Sequence, residues 1–220
     1  MKGLLLTMTE PPAAMEEEFN AWYDTEHMAE RLAIPGFISA RRWVAPRAKP
    51  GTGKYLATYE LERQQVLTTP AYLAHVGEHF TPWSKRCLAK ATLFRRWAAT
   101  QTLPGNAAAV AGAKALMVAM GDTPAEHEIE FNQWYDEEHL PMLAAVPGVL
   151  GARRFFDPTG TPRYISLYEL TDRAVVRSPQ WQAAVETPWS KRMLELTSKE
   201  EWILRCYDAY ETLSPDTRRG

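Results

Sequence analysis

Two stretches of this 220-residue chain carry the same side chains able to move a proton. Tyr23, Glu26 and His27 fall in WYDTEH, and Tyr135, Glu138 and His139 fall in WYDEEH. An imidazole titrates near neutrality, which suits it to take or give a proton under ordinary conditions. A carboxylate beside it can assist, and burial would raise that carboxylate's pKa into a usable range. A tyrosine one helical turn earlier can donate a hydrogen bond to a carbonyl or phenol oxygen. Both trios sit in helical patterns. With Phe19 at zero and about 100° per residue, Trp22 and Tyr23 flank the centre of an apolar stripe, Glu26 falls near its middle and His27 at its edge. A carboxylate in mid-stripe is costly unless it is paired or protonated. The expected catalytic set is therefore His27 or His139 as the proton mover, Glu26 or Glu138 as its aid, and Tyr23 or Tyr135 as the donor. The same residues admit a structural reading, in which the histidine caps carbonyls near a helix end and the glutamate pairs with an arginine.

Other side chains are placed to hold a substrate. Trp22 and Trp134 are expected to wall a pocket. Tyr59 and Tyr168 stand on strand faces that alternate aromatic residues. Arg41-Arg42 and Arg153-Arg154 point to opposite strand faces, so one of each pair must meet the helix layer, and Arg42 and Arg154 are taken for that role. No metal site is expected. His75 and His79 stand at i and i+4, a spacing a metal can use, but no third ligand is evident. Gly51-Thr-Gly53 is too short a match to a phosphate-binding loop.

The elements that must position these residues occur twice. Residues 19–43 and 131–155 are identical at 13 of 25 positions, with an offset of 112. KYLATYEL (54–61) answers RYISLYEL (163–170), and TPWSKR stands verbatim at 81–86 and 187–192. In the first copy the pattern predicts strands over 3–8, 37–44, 55–61 and 93–99, with helices over 13–30 and 70–90. That order is βαββαβ, and the second copy repeats it. The expected fold is α+β: two ferredoxin-like repeats (1–99 and 113–210), a small-residue linker (100–112) and a C-terminal tail (211–220). Both faces of strand 37–44 are largely apolar. Helices can cover one face, and the second copy is the candidate cover for the other. The two antiparallel sheets are thus expected to pack into an intramolecular dimeric α/β barrel, a monomer with an internal pseudo-dimer that could still form a homodimer.

Composition narrows the partners. The chain is 45% hydrophobic and 24% charged, with 25 basic and 27 acidic residues and a net charge of −2. It lacks the basic excess of a nucleic-acid binder. Its longest apolar stretch, 107–120, includes a lysine and is shorter than the roughly 20 residues of a membrane span. The first ten residues lack the apolar core of a signal peptide. Two cysteines, Cys87 and Cys206, permit one bridge and imply none. A soluble cytoplasmic protein is expected.

The pattern FN-x-WYD-x-EH, followed by PG and by RR plus an aromatic residue, resembles the dimeric α/β-barrel superfamily, and within it the EthD-like branch. The resemblance runs through nearly the whole chain, once per copy. It implies the barrel fold but not one reaction, since the superfamily holds lactone isomerases, polyketide cyclases, decarboxylases, cofactor-free monooxygenases and haem enzymes. The leading expectation is a cofactor-independent lyase or isomerase acting by His/Glu acid–base catalysis on a small hydrophobic, aromatic or polyketide-like molecule. A cofactor-free or haem-dependent oxygenase is the first alternative, and a non-catalytic ligand-binding or stress-associated protein the second. The second copy is favoured as the active one, because His139 followed by Pro141 is closer to the family pattern.

Overall fold

The computed structural model describes residues 1–45, 47–197 and 201–211. Eight strands form: β1 (Gly3–Glu10), β2 (Phe37–Val44), β3 (Tyr55–Leu61), β4 (Leu93–Leu103), β5 (Ala115–Gly121), β6 (Val149–Phe156), β7 (Tyr164–Leu170) and β8 (Ile203–Ala209). Six helices accompany them: α1 (16–32), α2 (Pro70–Leu73), α3 (Pro82–Lys90), α4 (128–144), α5 (Pro179–Val185) and α6 (Pro188–Leu196). All strand pairs are antiparallel, and the order β1-β3-β2-β8-β5-β7-β6-β4 closes on itself when β4 pairs with β1. Among the described residues, two strand seams join the two halves. One is β2–β8, at Trp43↔Ala209 and Val44↔Asp208. The other is β4–β6, at Thr100↔Phe156, Gln101↔Phe155 and Leu103↔Arg154.

Strand alternation sorts the side chains into an inner and an outer core. Leu4, Leu6, Met8, Trp43, Leu56 and Trp97 point inward and meet Leu116, Val118, Met120 and Phe155 from the other half. Leu5, Ala57 and Tyr59 point outward and pack with Phe19 and Trp22 of α1. Tyr168 does the same with Phe131 and Trp134 of α4. Strands β3 and β7, covered on both faces, are buried along their whole length. The inner face also holds charge. Arg153 donates to Glu60 at 2.8 and 3.0 Å and to Glu169 at 3.1 Å, so one guanidinium ties the halves together. Its counterpart Arg41 donates to the Val110 and Ala113 carbonyls instead.

Two expectations need correction, and a third falls largely outside the described residues. The helix expected over 70–90 is broken into α2 and α3. Proline disfavours helix in the residue before it, so Thr81 ends the intervening turn and caps α3, its Oγ1 accepting from the Ser84 amide at 3.0 Å. The first unit does not end at 99, because β4 runs on to Leu103 and its last residues make the seam with β6. Of the tail expected over 211–220, all but Glu211 lies outside the described residues. Among the described residues, no helix is long and apolar enough to cross a membrane.

Candidate active site

Both proton-moving trios lie on π-helical turns, Tyr23–His27 within α1 and Tyr135–His139 within α4. A π turn holds one more residue than an α turn and advances roughly 80° per residue instead of 100°. Beyond Tyr23 and Tyr135 the straight-helix reckoning therefore fails. The glutamates rotate off the stripe and end half-buried, while the histidines rotate into it and are 9% exposed each. The order expected from a regular helix, Glu central and His marginal, is reversed.

The glutamates anchor the helix behind them. Thr187 Oγ1 donates to Glu138 Oε1 at 2.5 Å and accepts from the Ser190 amide at 3.0 Å, capping α6. Ser190 Oγ accepts from Trp134 Nε1 at 3.2 Å. The first half repeats this with Thr81 to Glu26 at 2.6 Å and Trp22 to Ser84 at 3.1 Å. This is what the TPWS motif does. It fixes the tryptophan, and the histidine stacks on that tryptophan at 4.1 Å for His139–Trp134 and 4.3 Å for His27–Trp22.

The two halves then diverge. In the second, His139, Trp134, Tyr135 and Tyr168 line a cavity of about 510 Å³, together with Leu143, Trp181, Trp202, Leu204 and other residues. That size is in the usual range of small-molecule sites. In the first, Tyr23, His27 and Tyr59 face a void of only about 70 Å³. The fillers are identifiable. Arg31 stands where the second half has Leu143, and its Nη2 donates to the His75 carbonyl at 2.7 Å. Arg96 stands opposite Thr7 where Leu204 stands opposite Ala119. Phe80, from the longer loop before Thr81, lies 6.0 Å from the Arg31 guanidinium. In the second half Gly121 lets the Trp202 indole lie against β5, where any Cβ would come within 2.6 Å of the ring.

Electrostatics follow burial. Burial first, then the nearby Arg154, pull the His139 imidazole from its ordinary 6.5 down to about 3. Burial, Arg31 and Arg42 do the same to His27. Both rings are therefore neutral at pH 7, which corrects the expectation of titration near neutrality. The Nδ1 atom of each is buried without a partner among the described residues. The Tyr168 hydroxyl is also buried and unpartnered, and burial holds its phenol well above the usual pKa.

Of the sequence candidates, the structure brings His139, Tyr135, Tyr168 and Trp134 together around one cavity. Glu26 and Glu138 hold threonines. Arg42 and Arg154 face the helix layer and bond to α1 and α4 at Asn20 and Asn132. Leu143, Trp181, Trp202 and Leu204 were not foreseen. Aligning the two copies could have flagged them, since Leu143 and Leu204 replace arginines and Trp181 replaces Tyr72. Among the described residues no three His, Cys, Asp or Glu side chains are grouped to hold a metal. Glu186 is the one charged side chain in the described lining of the cavity.

No protein-family model matches the sequence, and no curated protein matches it significantly. Solved structures do. An anthrone oxidase-like protein superposes with a TM-score of 0.59 at 15% identity, over 97% of this chain and 95% of its own. The fold is ferredoxin-like. A ferredoxin-fold protein of Listeria monocytogenes related to antibiotic biosynthesis monooxygenases gives 0.53 at 10% identity, over 96% and 95%. A chlorite dismutase variant from Candidatus Nitrospira defluvii, in complex with cyanide, gives 0.57 at 9%, over 96% and 91%. At such identities the likeness is one of fold, and the reaction has to be argued from the cavity.

Proposed function

We propose that this chain is an enzyme built from two fused copies of one EthD-like unit, and that it removes a proton from a small, flat, hydrophobic molecule held in the second-half cavity. The observation that carries the reading is the contrast between about 510 Å³ beside His139 and about 70 Å³ beside His27, around the same motif. Three indoles and two phenols in the lining suit an aromatic or polyketide-like ring system, whose faces they can stack or meet edge-on. His139 is neutral at pH 7, so its unprotonated ring nitrogen acts as the base. An apolar wall makes the imidazolium costly, but the same transfer leaves the substrate anion beside it, and the attraction between the two charges offsets that cost. The unpartnered Tyr168 hydroxyl donates to the oxygen on which that charge collects. The electron pair stays on the substrate, which then isomerises, cyclises or loses a group.

A second reading shares the first step. The likeness to an anthrone oxidase-like protein favours handing the substrate's electrons to dioxygen, in a cofactor-free oxygenation. Oxygen uptake during turnover separates the two readings.

The test uses a panel of anthrones, naphthols and lactones, scored by thermal shift. Saturation near 100 times Kd stabilises by about 2.7 kcal/mol, a shift of several degrees at this size. Leu143→Arg, which copies the first half's plug, is expected to abolish binding. His139→Ala is expected to keep binding and lower turnover by about 10²–10⁴-fold. Ligand binding that survives Leu143→Arg would sink the assignment of the cavity.

A further inference from the structure

Behind the wall of the second-half cavity lies a buried cation with no salt-bridge partner among the described residues. The Arg154 guanidinium, 2% exposed, sits in a box of aromatic rings, 4.0 Å from the Tyr135 centroid, 4.5 Å from Tyr164 and 5.2 Å from Phe131. Nη1 donates to Asn132 Oδ1 at 2.7 Å. Nε and Nη2 are buried with no partner among the described residues. The first half supplies an internal control. Arg42 occupies the same place, boxed by Tyr23 at 4.3 Å, Tyr210 at 4.1 Å and Tyr55 at 5.2 Å. It too bonds its asparagine, Asn20, at 2.6 Å, but it also pairs with Asp24 at 3.1 Å. Asp136, the counterpart of Asp24, is exposed and makes no salt bridge to Arg154. Aromatic faces attract a cation but do not neutralise it, and a buried guanidinium keeps its proton. The filled pocket is thus backed by a guanidinium paired directly with a carboxylate, and the open one by a guanidinium that makes no such pair among the described residues.

Tyr135 is the partition between that charge and the cavity. One of its faces carries Arg154, and the same ring lines the cavity and meets His139 edge-on at 5.1 Å. We infer that Arg154 is a positioning residue that, through Tyr135, tunes the second-half cavity to hold its ligand as an anion, a phenolate or enolate. This inference rests on the proposed cavity and deepens it, by naming the anion left when an acidic aromatic gives up its proton there as the species the cavity stabilises. The other groups facing the ligand are neutral His139 and the phenols of Tyr135 and Tyr168, with Glu186 opposing from the rim. On its far side Arg154 faces Tyr164, whose hydroxyl donates to Glu128, and the Asp136 carboxylate also acts on the guanidinium.

The probe is 2-naphthol, whose neutral and anionic forms absorb at different wavelengths. Its ionisation is titrated free, bound to the native chain, and bound to Arg154→Met and Arg154→Lys. Burial alone raises the bound pKa, so the difference between variants isolates the arginine. Arg154→Met is expected to ionise the bound probe at a pH higher by about one unit or more than the native chain, and Arg154→Lys to stay near the native value. A Met variant that binds the probe and titrates it as the native chain does overturns the inference and leaves the cavity assignment standing. Should Arg154→Met fail to fold, Arg154→Gln is read in the same way, and in the native chain an affinity that weakens as the probe ionises overturns the inference. Failure of the probe to bind, or binding that survives Leu143→Arg, overturns the cavity assignment and this inference with it.

Discussion

His27 and His139 are packed on tryptophan faces with Nδ1 unpartnered, and each gains a proton only near pH 3 in the folded chain. In the unfolded chain both titrate at about 6.5. As pH falls, the unfolded state takes up protons first, so the stability these two sites lend is full above about pH 6.5 and drains away towards pH 3. Each site contributes a slope of up to about 1.4 kcal/mol per pH unit in that window. Urea unfolding at several pH values should show the decline, and His27→Phe, which keeps a ring on Trp22, should reduce the slope by about one proton. An unchanged slope would mean that His27 is charged in the native state. The identity of these residues was legible from chemistry alone, but their burial was not. A step of 100° per residue puts the wrong side chain in the stripe once a π turn intervenes, and no residue type marks such a turn.

Among the elements, the π turn and the capped N-terminus of α6 work as a unit. Thr187 holds both the Ser190 amide and Glu138, and Ser190 holds Trp134, the floor under His139. Thr187→Ala should lose the cap, at about 0.5–2 kcal/mol, and release the indole. Thermal denaturation reads the first effect, and weaker ligand binding with the fold intact reads the second. Thr187→Ser should restore both. A Thr187→Ala variant of native stability and native affinity would show that the helix is held elsewhere. The strands were the most readable elements, because β2 and β3 announce themselves by aromatic and branched residues between breaks. The TPWSKR repeat was visible too, but its role was not. Only the folded chain brings residue 187 to residue 138.

For the molecule as a whole, the doubled pattern made the ferredoxin-like units legible, while the seams were not. Their ladders are a few residues long and one of them uses residues that read as a linker. The ion cluster inside the ring also joins the halves. Arg153 comes from the second half and Glu60 from the first, and Glu169 shares the same guanidinium. Arg153→Met would leave two buried carboxylates facing each other, and a loss of about 3–5 kcal/mol is expected at pH 7. Burial already raises the Glu169 carboxyl, so the loss should shrink as pH falls and the carboxyls take protons. Denaturant titrations at pH 7 and pH 5 check both statements, and native stability at pH 7 would contradict the pairing.

The filled pocket has an evolutionary side. In a barrel assembled from two identical chains, any mutation lands twice, so a plug in one pocket is a plug in both. Here every position is inherited singly. Arg31 closes one pocket while Leu143 leaves its twin open, and the closed half is free to serve as scaffold. Selection can then reshape the open pocket without touching the half that keeps the ring intact, and a titration should count one ligand per chain.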